Sequence, residues 1–87
     1  MLISIFIYIM ETNNRTIEYM GVKVSIIQYL SESNNMFNKR LEYIKKIEAH
    51  NINWKEAYRL SKIWHCIKYK QCRYTPEVYH KVIQYDK

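Results

Sequence analysis

The chain predicts an α+β protein, mainly α: a short N-terminal β-strand or hairpin followed by three to four helices, with a helix-turn-helix as one arrangement open to it. Three observations carry this reading. Apolar residues alternate in "MLISIFIYIM", and again on either side of Gly21 in "RTIEYMGVKV". Beyond residue 25 the apolar period lengthens from two to about 3.6. Helix-starting signals then stand at "NWKE" and at "TPE". Eighty-seven residues with one Gly and one Pro fit one small domain, 1–87, divided into a β region at 1–24 and a helical region at 25–87.

The uncharged opening, residues 1–10, is too short for a transmembrane helix, because ten helical residues span ~15 Å of a ~30 Å hydrocarbon core. No Lys or Arg precedes it, and Met10-Glu11-Thr12-Asn13 follows in place of a small-residue cleavage site, so it does not read as a signal peptide. Ile3, Ile5, Ile7 and Ile9 alternate with other residues as in a strand buried on one face or both. A start at Met10, with the first nine residues as an upstream extension, is the rival explanation. Thr16–Tyr19 and Val22–Val24 then read as two short strands with Gly21 at the bend.

The first helix is expected near Ser25–Ser33, presenting Ile26, Ile27 and Leu30 to a core. "SESNN" supplies a turn and the next cap. The second helix, Met36–His50, has Phe37, Leu41, Ile44 and Glu48 along one face, with Met36 and Ile47 beside it. Lys39, Tyr43, Lys46 and His50 form a neighbouring, solvent-facing stripe. The third helix starts at the Asn53 N-cap with Glu56 three residues on, and runs without a breaker through Cys72. Ala57, Leu60, Ile63, Trp64 and Ile67 make its core stripe. Lys55, Arg59, Lys62, Lys70 and Arg73 line the opposite arc. Thr75 and Pro76 open a fourth helix, which Val78, Val82 and Tyr85, or Tyr79 and Ile83, would dock. The core is expected to centre on Phe37, Leu41, Ile44, Leu60, Trp64 and Ile67.

The net charge is +6 and the pI near 9.4, which favours an acidic partner, nucleic acid being the commonest. Ile, Asn, Lys, Tyr, Phe and Met make up about half the chain, all spelled by AT-rich codons. Genomic bias therefore accounts for the number of lysines, though not for their alignment on a helix face. A solvated basic exterior is the plainer reading of the same stripes.

Catalytic chemistry is sparse. Asp86 is the only Asp, and the seven Glu residues form no marked pair. No HExxH, CxxC or Gly-rich phosphate loop occurs. His65, Cys66, Cys72 and His80 are zinc-ligand types at poor spacing, so neither a metal site nor a cofactor is expected. Cys66 and Cys72, if both on one helix, lie roughly 9 Å apart along its axis on different faces and cannot bridge. A reducing compartment is the simpler setting.

Residues of about 17–57, with Gly21, Val22–Val24, Arg40-Leu41, Trp54, Glu56 and Ala57, resemble helix-turn-helix DNA-binding modules of phage and large DNA viruses, of the type that accompanies homing endonucleases. The resemblance implies a second helix entering the major groove with Lys39, Arg40, Tyr43 and Lys46. The Gly that follows the reading helix in that family is missing, no nuclease domain is attached, and nuclease activity is not carried over.

The expected function is thus that of a small, basic, non-enzymatic nucleic-acid-binding protein of viral type, with DNA favoured over RNA. Phosphate contacts would fall to Lys39, Lys46, Arg59, Lys62, Lys70 and Arg73, stacking or base contacts to Tyr43 or Tyr69, and Arg40 and Lys55 would complete the nucleic-acid-binding set. The alternative is a structural or adaptor subunit that uses its N-terminal strand for a homo-oligomer or larger assembly, and its basic helix against an acidic protein. Either setting is intracellular, in cytoplasm, nucleus or virion, with no membrane partner and no secretion.

Overall fold

The computed structural model describes residues 14–87. The strand expected within residues 1–10 lies outside the described residues. Strands β1 (Asn14–Tyr19) and β2 (Val22–Ile27) pair antiparallel, with Asn14 opposite Ile27 and Tyr19 opposite Val22. That register leaves a two-residue turn, Met20-Gly21, with φ of 52° and 83°. Two left-handed residues in a two-residue hairpin match a type I′ turn, whose twist suits the flanking strands. Gly21 adopts this conformation freely, whereas a Met side chain there costs about 1–2 kcal/mol.

Alternation aims Ile17, Tyr19, Val24 and Ile26 at the helices. Three helices follow: α1 (Asn34–Glu48), α2 (Trp54–His65) and α3 (Pro76–Ile83). The whole is α+β and mainly helical. Each helix opens on a side-chain cap that satisfies an otherwise orphaned amide. Ser33 accepts from the Met36 amide at 3.1 Å, Asn53 from Glu56 at 2.9 Å and Thr75 from Val78 at 3.4 Å. The Asn53 and Thr75 starts are those the sequence announces.

The expected helix at 25–33 does not form. β2 continues through Ile27, and residues 28–33 make a turn in which the Glu32 amide donates to the Tyr29 carbonyl at 3.0 Å. The strand prevails because Val24 and Ile26 continue its inward face, while Leu30 is left 74% exposed. The β region therefore extends beyond residue 24, and the helical region begins at Asn34. The first helix of the expected helix-turn-helix is in this way replaced by a strand and a turn.

The third helix also ends early. At Cys66 the α-helix gives way to a π-helical turn, Cys66–Lys70, closed by Gln71 in the left-handed conformation. Lys70 lies in that turn and Arg73 in the loop after it, so only Lys55, Arg59 and Lys62 share the face of α2. The turn brings Cys66 and Cys72 together: the Cys72 amide donates to the Cys66 carbonyl at 3.2 Å, and both thiols are free. The expected separation on a straight helix is thereby corrected.

The core joins Phe37, Leu41, Ile44 and Ile47 of α1 to Ala57, Leu60, Ile63 and Trp64 of α2, with Tyr19 and Ile26 from the hairpin and Val82 from α3. Ile67 is only partly buried, because the π turn carries it off the core stripe. On α3 it is Val82 that is buried, while Tyr79 is 43% exposed. The Tyr19 hydroxyl donates to the Ile52 carbonyl and its ring lies 5.1 Å from Trp54, which ties the hairpin to the α1–α2 connection.

Candidate nucleic-acid interface

Two residues expected on the recognition surface belong to the interior. Arg40 is fully buried. Its Nε and Nη2 donate to the two carboxylate oxygens of Glu32 at 2.9 and 3.0 Å, and Nη2 also donates to the Ile27 carbonyl at 2.7 Å. Its guanidinium sits 4.3 Å from the Tyr29 ring centroid, a cation–π contact. A guanidinium so held cannot reach a base edge. Tyr43 is 1% exposed, stacks on Trp64 at 5.0 Å between ring centroids, and donates its hydroxyl to the Val82 carbonyl at 2.7 Å. Burial raises its phenol well above the usual range. Both are corrections: helical spacing puts Tyr43 on an outward stripe and the helix-turn-helix resemblance implies Arg40 in the groove, but Trp64 and α3 cover Tyr43 and the 28–33 turn covers Arg40.

The other expected residues remain accessible. Lys39, Lys46, Lys55, Arg59, Lys62, Lys70 and Arg73 are exposed, and Tyr69 is half-buried with its ring edge-on to Trp64. Not all of their charge is available. Glu56 receives Arg59 through two hydrogen bonds, at 2.8 and 3.0 Å, and Lys81 at 2.7 Å. Those partners, Arg59 first, hold the Glu56 carboxyl down at about 2. Lys62 lies 4.8 Å from the Tyr58 ring centroid.

The structure gathers charge along the outer side of α1, where two hollows share Lys39 and Glu42. The first, of about 290 Å³, is walled by Lys39 and Lys46 from α1, Lys68 and Tyr69 from the π turn, Trp64 at its back and Asp86 near the C-terminus. The second, of about 480 Å³, adds Arg15, Asn38 and Lys45. Arg15 is positioned by Asn38, whose side-chain oxygen accepts from Nη1 at 3.0 Å. Lys45 donates to the Glu18 carbonyl at 2.9 Å and pairs with Glu48 at 3.0 Å. Five basic side chains therefore border one continuous surface: Arg15, Lys39, Lys45, Lys46 and Lys68.

Three of these, Arg15, Lys45 and Lys68, are absent from the sequence-derived set. Lys68 reaches the pocket because the π turn rotates it there, and no Gly or Pro marks that turn. Arg15 depends on hairpin-to-helix docking, a contact between residues 23 apart in sequence.

Among the described residues, no three His, Cys, Asp or Glu side chains form a group able to hold a metal. His65 is 1% exposed, its Nε2 lying 3.8 Å from Glu32 without a hydrogen bond. No described helix is long and apolar enough to cross a membrane. Comparison with family models, curated proteins and solved structures returns no match for this chain.

Proposed function

We propose that this is a small, non-enzymatic nucleic-acid-binding protein of viral type, with DNA favoured over RNA. The observation that carries the reading is the pair of hollows along α1, bordered by five basic side chains and joined at Lys39. Lysines spaced along a shallow track suit a phosphate backbone, which binds through charge neutralisation and counterion release. The net charge of +6 adds long-range attraction. The finer expectation, a helix reading the major groove, rests on Lys39 and Lys46 of its four assigned residues, since Arg40 and Tyr43 are core.

The test is a titration of duplex DNA, single-stranded DNA and RNA across a salt series. Lys39→Gln with Lys46→Gln should weaken binding to all sequences and flatten the log–log salt slope by about one unit per lost contact. Arg59→Glu with Lys62→Glu should add to the loss if α2 also borders the phosphates. No binding at low salt would reject the proposal.

The second reading is an adaptor or structural subunit, and one observation favours it. Val22, Ile27 and Leu30 are 62, 49 and 74% exposed along β2 and the turn after it, apolar side chains open to a protein partner.

A further inference from the structure

The first hollow on α1 already holds an anion, and that anion belongs to the chain. Asp86 Oδ2 lies 2.9 Å from Lys68 Nζ, and Oδ1 lies 4.0 Å from Lys46 Nζ. Lys46 Nζ also donates to the Asp86 backbone carbonyl at 3.2 Å. Lys39 lines the same pocket and forms no ion pair among the described residues. Three ammonium groups and two carboxylates, Glu42 and Asp86, thus line this space, and Asp86 alone serves two of the ammonium groups. Asp86 is held there by its neighbours, since Tyr85 packs edge-on to His50 at 4.9 Å and the Tyr43 hydroxyl anchors the carbonyl of Val82.

We propose that this pocket is a phosphate site for the end of a nucleic-acid strand, kept closed by Asp86 until a terminal phosphate displaces it. The inference rests on the nucleic-acid reading and specifies its ligand. A phosphomonoester carries a charge of about −1.5 to −2 and three acceptor oxygens, against one negative charge and two oxygens for the carboxylate. It satisfies Lys39, Lys46 and Lys68 together, which Asp86 does not. A phosphodiester within a strand carries a single charge, and so competes less well. A volume of about 290 Å³ stands at the small end of ligand pockets, in keeping with one terminal nucleotide and not a strand running through. Tyr69 offers its ring beside Trp64 for the adjoining base or sugar.

The experiment compares one single-stranded oligonucleotide carrying a terminal phosphate, at either end, with the same strand ending in hydroxyls. Fluorescence polarisation is read for the wild type, Asp86→Asn and Lys68→Gln, and thermal melts confirm that each variant folds. The phosphorylated strand should bind about tenfold tighter than the hydroxyl strand. Asp86→Asn should widen that ratio several-fold, because the amide keeps the side chain's shape but abandons the lysines. Lys68→Gln should narrow it towards one. Equal affinity for the two strands in both the wild type and Asp86→Asn overturns the inference and leaves the general nucleic-acid reading standing. Absence of binding to either strand in both proteins rejects the two together. A phosphate preference that Asp86→Asn leaves unaltered overturns the displacement step.

Discussion

Arg40 and Glu32 form a two-pronged ion pair in which neither side chain is exposed, at the junction between the hairpin and α1. The pair fixes the 28–33 turn from within. Glu32 Oε1 also accepts from the Tyr29 amide at 3.1 Å, and the Glu32 carbonyl accepts from Gln28 Nε2 at 2.7 Å. These bonds compensate most of the charge that the segment buries, with Arg40 Nη1 left as the one guanidinium nitrogen without a hydrogen-bond partner.

Removing one partner should therefore be far worse than removing both. Arg40→Met should cost ~3–5 kcal/mol, since it leaves Glu32 buried and unpaired. Arg40→Met with Glu32→Gln should recover a substantial part of that loss. Lys39→Met, one residue away on an exposed position, should stay within ~0.5 kcal/mol of wild type. Urea unfolding of the four proteins makes the comparison. Equal stabilities for Arg40→Met and Lys39→Met would contradict the buried pair.

His65 should make stability fall in mildly acidic solution. Burial lowers the imidazole pKa, the Glu32 carboxylate opposes that shift, and Arg40 and Lys70 reinforce it. Above about pH 6.5 the imidazole is neutral in both folded and unfolded chains, and contributes no pH dependence. As pH drops below that value the unfolded chain takes up a proton that the folded one resists. Stability should decline from there down to the lowered folded pKa and then level off. Denaturation at half-unit pH steps reads the slope, which should shrink in His65→Phe.

The Met20-Gly21 turn offers a gain. Met20 holds φ of 52° as the first residue of this turn, and its amide donates to the Glu48 carboxylate at the end of α1. That bond is also the chief reason the Glu48 carboxyl lies below its ordinary range. Met20→Asn retains the amide and supplies the residue type best suited to the first position of a type I′ turn. It should stabilise the fold by ~1 kcal/mol, seen as a higher melting temperature. An unchanged or lower melt would show that the Met20 side chain contributes more than its backbone strain costs.

Cys72 is exposed, yet it should alkylate slowly near neutral pH. Its hydrogen bond with the Cys66 thiol favours the protonated form and raises its pKa, so little thiolate is present. In Cys66→Ala the labelling rate with iodoacetamide at pH 8 should rise. If the rate stays the same, the two thiols are not partners in solution.

The readable parts of this fold are those whose signals are local. Gly21 marks the hairpin, Asn53 with Glu56 and Thr75 with Pro76 mark two helix starts, and the spacing of Phe37, Leu41, Ile44, Leu60 and Trp64 marks the core. Arg40 defeated the same logic, because a charged residue is normally outside and its partner Glu32 fell in a segment read as helix. Tyr43 sits on the stripe that spacing reads as facing water, and it is covered by Trp64 of α2, on which it stacks, and by α3, whose Val82 carbonyl takes its hydroxyl. The anion pocket was half legible: Lys39 and Lys46 were named from spacing, and Tyr69 as a residue for stacking. Lys68 and Asp86 were not, because their meeting requires a departure from α-helical geometry.

That departure, the five-residue turn at Cys66–Lys70, sets an angular phase between the two-helix core and everything after it. Each residue of an α-helix advances the chain by roughly 100°, so deleting one residue here would swing the tail about a quarter turn around the α2 axis. Val82 would leave the Tyr43 hydroxyl, Asp86 would part from Lys68, and the pocket would lose one wall while its other lysines stayed in place. At this point in the chain the number of residues matters more than their identity. A one-residue insertion or deletion here should disturb the protein more than most single substitutions in the same segment.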